Sequence, residues 1–278
     1  MSEFQYIAFR AIDAPVSKAN LKYMREQSTR AEITQWAFDN QYTFGDFHGD
    51  TIEMLRRGYD FHFHYADFGI RKLMIHIPEL PAEAKEYLID DQLCFTKDKR
   101  GQTSGILTFN LSLEPGDLED VWEPAQVMDN LLPLRAEILA GDLRPLYLAH
   151  LAIASDMNHD PADEKDAPVP AGLNKLTSAQ KVFAEFYGID KAMLAAAAQG
   201  APSPAERAQA REDFDQWLES QPDQTRNSWL TRVVQDEAPA VRIEIMAAYR
   251  KSQKAPAWPT AKVDRTIADL LEKAGRLE

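Results

Sequence analysis

The residues whose types and spacing could do chemistry lie between Asp46 and His64. Asp60, His62 and His64 alternate with Tyr59, Phe61, Phe63 and Tyr65, a period of two. On a strand, residues two apart point the same way, so the two imidazoles could hold one divalent ion. His48, Asp46 or Asp50, nearby in Gly45-Asp46-Phe47-His48-Gly49-Asp50, could complete the site. Water bound to such a metal could attack an ester or a phosphate. The plainer reading of the same stretch is a strand whose aromatic face is core. Two glycines make the 45–50 segment a poor phosphate cradle, because its aspartates would repel the anion, and a tight turn is expected there instead. Asp13, Glu32 and Asp60 could work as acid and base only if the fold brings them together. Phosphate-loop, dinucleotide, nucleophile-elbow and His-Glu-x-x-His patterns do not occur.

The elements that must position these residues follow from the patterning. Strands are expected at Phe4–Ile12, within Ala31–Tyr42, at Tyr59–Tyr65 and at Arg71–Ile77. The last two form a hairpin, with a helix running on through Tyr65 as the alternative. Gln92–Thr96 and Gly105–Leu111 add two more strands around the charged turn Lys97–Gly101. Ser17 and Asp50 or Thr51 are expected helix caps, the second helix running from Ile52 to Arg57. Beyond Glu114-Pro115-Gly116 the chain turns helical. Helices are expected over Val127–Ala140, Leu143–Ile153, Ser178–Tyr187 and from Asp190 to Gln199. More follow from Ser203 to near Ser220, from Pro222 to Val234, from Ala238 to Lys251 and over Ala261–Ala274. The expected fold class is α+β: residues 1–116 form a mostly antiparallel sheet domain with two helices, and 117–278 form an all-helical bundle. Ser155–Gly172 carries four acidic residues and three prolines between Asp160 and Pro170, and reads as an exposed linker or an acidic docking loop.

Several of these segments resemble an uncharacterised bacterial family. They are Ser2–Tyr6, Ala11-Ile12-Asp13, Ser28–Thr34, Gly45–Asp50, Gly69–Met74, Pro133–Glu137, Gly141–Tyr147 and Pro168–Leu173. The likeness spans most of the chain to about Ala198 and implies one evolved unit without implying an activity. The chain departs from that family at His62 and His64, where aromatic or aliphatic residues are usual, and at His48, where lysine is usual. The resemblance therefore implies no shared role for these histidines.

Charge and composition bound the function. Asp and Glu outnumber Lys and Arg by 44 to 31, a formal net charge of -13, which repels nucleic-acid backbones. Cys94 is the single cysteine, so a disulfide within the chain and a cysteine zinc site are both excluded. Met1–Tyr6 has no basic, apolar leader character and no run is long enough to span a bilayer, so a cytoplasmic, membrane-free protein is expected. Trp258, pinned between Pro256 and Pro259, is expected either to strap the helices or to anchor a partner. The leading expectation is a non-enzymatic interaction or regulatory protein that binds another protein and needs no cofactor. The alternatives are a metal-dependent hydrolase built on His62 and His64, and a small-ligand sensor binding between the halves.

Overall fold

The computed structural model describes residues 4–99, 101–111, 118, 120–155, 164–202, 214–234, 241, 244–245, 248–249 and 258–276. Seven strands form one antiparallel sheet. They are β1 (Gln5–Arg10), β2 (Glu32–Ile33), β3 (Ala37–Tyr42), β4 (Phe61–Ala66), β5 (Arg71–Ile77), β6 (Leu93–Lys97) and β7 (Gly105–Asn110). Their order is β2-β3-β1-β4-β5-β7-β6. The β4–β5 hairpin forms as expected, Phe63 opposite Leu73, and the helical alternative does not occur.

Because a strand alternates its side chains, two kinds of row cross the sheet. On one face the register aligns Glu32, Asp39, Ala8, Phe63, Leu73, Phe109 and Leu93. On the other it aligns Ile33, Phe38, Phe9, His62, Met74, Thr108 and Cys94. Tyr59 does not join Phe61, Phe63 and Tyr65 on the first face. It packs with the second, because its N–H bonds back to the Met54 carbonyl at the end of a helix and it precedes the strand.

Two short helices close the second face. Ser17 caps α1 (Lys18–Glu26) by accepting from the Asn20 N–H, and Asp50 caps α2 (Thr51–Arg56) by accepting from the Glu53 N–H. Met24, Met54 and Leu55 pack there against Ile7, Phe9, Phe38 and Tyr59.

The helices of the second half close the first face. They are α3 (Pro124–Leu131), α4 (Pro133–Leu139), α5 (Arg144–Ala154), α6 (Ser178–Phe186) and α7 (Lys191–Ala198). Where the apolar pattern predicts one helix over Val127–Ala140, the structure has two. Pro133 lacks an N–H for the preceding turn and begins α4 instead. Every residue of α5 is buried, as suits a helix that is apolar nearly all round. Thr177, not Ser178, caps α6, in a capping box with Gln180. One apolar cluster contains Tyr6, Phe63 and Leu107 of the sheet together with Leu146, Phe183 and Leu270 of the helices.

Part of the expected loop 155–172 is built into this layer. Residues 156–163 lie outside the described residues, but Ala167, Val169 and Ala171 are buried. Val169–Pro170 forms β8, paired antiparallel with β9 (Thr260–Ala261), so Ala261 belongs to a strand and not to the final helix. That helix, α9 (Ile267–Gly275), starts after Thr266 in a capping box with Asp269. The Asp166 carboxylate, fully buried, accepts from Arg265 Nε at 2.7 Å and from the Tyr147 hydroxyl at 3.1 Å. Asp166 therefore faces inward, where its charge has a partner.

A smaller cluster of Trp217, Trp229, Val241 and Tyr249 packs separately, around helical residues 214–220 and the helix α8 (Asp223–Arg232). α8 lies between α7 and α9 in the chain. The helix expected from Ser203 falls partly outside the described residues (203–213), and so does most of the one expected from Ala238.

Candidate functional site

Strand β4 places His62 and His64 side by side on the α1/α2 face. His62 is buried, its ring stacked on Phe9 with centroids 4.2 Å apart, and its Nδ1–H donates to the Ala8 carbonyl at 3.1 Å. His64 bonds through Nε2 to the Gln5 side-chain oxygen at 3.1 Å. Gln5 passes the connection on by donating to Asp46 at 2.9 Å. Burial, helped by the neighbouring His64 and Lys72, holds His62 well below the ordinary imidazole range. Burial and the Lys72 charge lower His64 to about 4. Both rings are therefore neutral at pH 7.

Of the other residues proposed for a metal, the structure brings only Asp46 into this chain of contacts. Asp50 caps α2, with its own N–H bonded to Gln27, and His48 is exposed. The turn is organised around Phe47, whose ring packs against Phe9 and Phe38. Gly49 lies on that ring, and a Cβ at Gly49 would sit 2.3 Å from the Phe47 Cζ. Among the described residues, no group of three or more His, Cys, Asp or Glu could hold a metal ion.

The carboxylates Asp13 and Asp60 do come together; Glu32 lies elsewhere, on the outer strand β2. Their meeting point is Arg135 on α4, which sequence reasoning missed. Its guanidinium donates to both Asp13 oxygens, at 2.8 and 2.6 Å, and to Asp60 at 3.3 Å. Its Nε donates to the His76 carbonyl at 2.9 Å. Asp60 also accepts from the N–H groups of Ile12 and Asp13. Burial pushes the Asp13 carboxyl up against the pull of Arg135, and the charge of Asp60 pushes it further. Beside them His76 bonds Asp98 at 2.9 Å, and Ser104 and Arg56 also bond Asp98. Arg135 is 3% exposed and each carboxylate has a hydrogen-bonded partner, so this cluster pins α4 to the sheet end. The available signal was an arginine between Leu134 and Ile138 on the buried side of a short amphipathic helix.

A third region differs in kind, because its side chains face solvent. Along the row Glu32–Asp39–Ala8–Phe63, burial changes abruptly: Ala8 and Phe63 are at 0%, Asp39 is partly open and Glu32 is exposed. Ala37 and Gln41, which share the Asp39 side of β3, are partly open and exposed respectively. Large aromatic residues are exposed at the two ends of β3 and before α3. Trp36, in the β2–β3 turn, is 52% exposed; Phe44, just past β3, is 76%; Trp122, before α3, is 93%. Trp258, by contrast, packs inward. Its indole N–H donates to the Ala171 carbonyl at 3.3 Å and its ring lies 5.0 Å from the Arg144 guanidinium.

No family model matches the chain, and no curated protein or solved structure matches it either. Among the described residues no helix is long and apolar enough to cross a membrane.

Proposed function

We propose that the chain acts by binding another protein, in an adaptor or regulatory role, through the side of the molecule formed by β2, β3 and the start of α3. The observation that carries this reading is the placement of Trp36, Phe44 and Trp122. They are large apolar side chains standing in solvent at both ends of β3 and at the head of the neighbouring helix. Aromatic side chains of this kind dominate binding energy when a partner desolvates them, and tryptophan is enriched among such anchors. The residues that first suggested catalysis are engaged elsewhere. His62 and His64 bond Ala8 and Gln5, Asp50 caps a helix, and Asp13 and Asp60 share Arg135. A net charge of -13 further favours partners with basic surfaces over nucleic acid.

The test is affinity capture from the source cells with the wild-type chain and with the Trp36→Ala/Phe44→Ala/Trp122→Ala variant. The expected result is one protein recovered in stoichiometric amount by the wild type and lost from the variant, with both chains giving the same circular dichroism. A wild-type chain that comes down alone, or a partner kept by the variant, overturns the reading.

A further inference from the structure

We infer that Gln5, a buried residue of β1, is a positioning residue of the docking surface, because it presets the loop that carries Phe44 to the partner. This deepens the proposal above and rests on it.

Phe44 does not hold itself in place. Its ring is 76% exposed, so its direction is set by the chain on either side of it. Both sides are tied to Gln5. Before Phe44, the buried Tyr42 at the end of β3 lies in register with Gln5 across the β1–β3 pair. After it, the Asp46 carboxylate accepts from Gln5 Nε2 at 2.9 Å. Gly45, at φ +77°, supplies the left-handed residue that turns the chain between them. Phe47 then packs back onto Phe9 and Phe38. The loop thus runs from Tyr42 to Asp46 between two fixed points, with Phe44 midway.

The Gln5 amide has one orientation that serves this arrangement. An ionised carboxylate only accepts, so the end toward Asp46 is the NH2 group. The amide oxygen therefore faces His64, whose Nε2–H donates to it at 3.1 Å. His64 holds the amide from the interior, and the amide holds the loop. Gln5 is 2% exposed, so a loop that lifts away leaves a buried donor without its acceptor. An aromatic anchor preset in this way binds more tightly than a mobile one, because the partner does not have to order it.

The test cuts the bond from each side at pH 7. Asp46→Ala removes the acceptor through an exposed residue and spares the interior. Asp46→Asn keeps an oxygen that can accept from Gln5. Gln5→Met removes the donor at similar size, and Gln5→Met/Asp46→Ala completes the cycle. One readout is the backbone order parameter of residues 43–46 in the free chain, from nitrogen-15 relaxation. The other is capture of the protein that the wild type recovers from its source cells. The order parameters are expected to fall from about 0.85 to below about 0.6 in Asp46→Ala and in Gln5→Met, with no further fall in the double variant, and to stay high in Asp46→Asn. Capture should weaken about three- to tenfold in the same three chains and hold in Asp46→Asn. Order parameters that Asp46→Ala leaves unchanged, or that Asp46→Asn lowers equally, overturn the inference. Order parameters that follow the expected pattern while capture stays constant also overturn it, and leave the proposal of a protein partner standing. A wild-type chain that recovers no protein overturns that proposal and the inference with it, whatever the loop does.

Discussion

The two faces of the sheet are built on different terms. Toward α3–α7 and α9, the strands turn in Phe63, Leu73, Phe109 and Leu93, all at 0% exposure, and charged groups buried in the helical layer are paired. Arg135 joins Asp13 and Asp60, and Arg144, itself fully buried, joins Asp142. Toward α1 and α2, the same strands turn in His62, His64, Met74 and Thr108, and among the described residues two short helices cover them. The strand positions facing the centre of the deep layer are apolar; the thin layer has fewer apolar side chains to offer, and there the strands fill the space with neutral imidazoles. The difference locates two distinct weaknesses. One face fails when an ion pair at its margin is broken, and the other fails when protons are supplied.

The sharpest way to break the first face is Arg135→Ala. It leaves Asp13 and Asp60 facing each other, partly buried, without their cation, and the expected loss is about 3–5 kcal/mol in urea unfolding. A loss under about 1 kcal/mol would show that α4 is held by its leucines alone.

The second face is tested by pH. Both imidazoles are held below their unfolded value in the native chain. The unfolded chain therefore binds more protons as pH drops below about 6.5, and stability must fall there. The contribution is constant above that pH and declines by about 1.4 kcal/mol per unit for each histidine below it. The His64 share ends near its folded value of about 4. Urea unfolding at pH 7 and pH 5.5 should show the decline in the wild type and a shallower one in His62→Phe/His64→Gln. Parallel curves would place the acid-sensitive groups elsewhere.

Smaller effects sharpen the picture. Asp50→Ala removes the cap of α2 and should cost about 1 kcal/mol, confined to the thin face. Trp122→Ala removes a side chain that supports neither face, so stability should stay within about 0.5 kcal/mol while partner capture falls.

What could be read from residues alone follows the range of the forces involved. The seven strands of the main sheet, the β4–β5 hairpin and the caps Ser17 and Asp50 are local, and each was legible from alternation or from a side chain bonding an N–H three residues on. Pro133 carried its own signal, but the apolar run on both sides obscured it. The nature of the 164–172 segment was not legible. Its aspartate and prolines resemble a solvated linker until Arg265, 99 residues further on, arrives beside Asp166. The same holds for Arg135, whose partner Asp13 is separated from it by 122 positions. The histidine pair was visible as a pair, whereas the Ala8 carbonyl and Gln5 that engage it belong to a strand formed far earlier in the chain. The open strip on β2 and β3 depends on where α3 lies, and no pattern within 31–42 encodes that.

The pairing of β8 with β9 and the bond from Arg265 to Asp166 also set a schedule for synthesis. A ribosome adds about 5–20 residues per second, so the 99 positions between Asp166 and Arg265 correspond to roughly 5–20 s. During that interval the sheet, α5 and the strap around Val169 have emerged, while β9 and α9, which complete their cover, have not. The nascent chain must hold an unfinished apolar surface for that time, which makes it a substrate for whatever cellular machinery shields such surfaces before release.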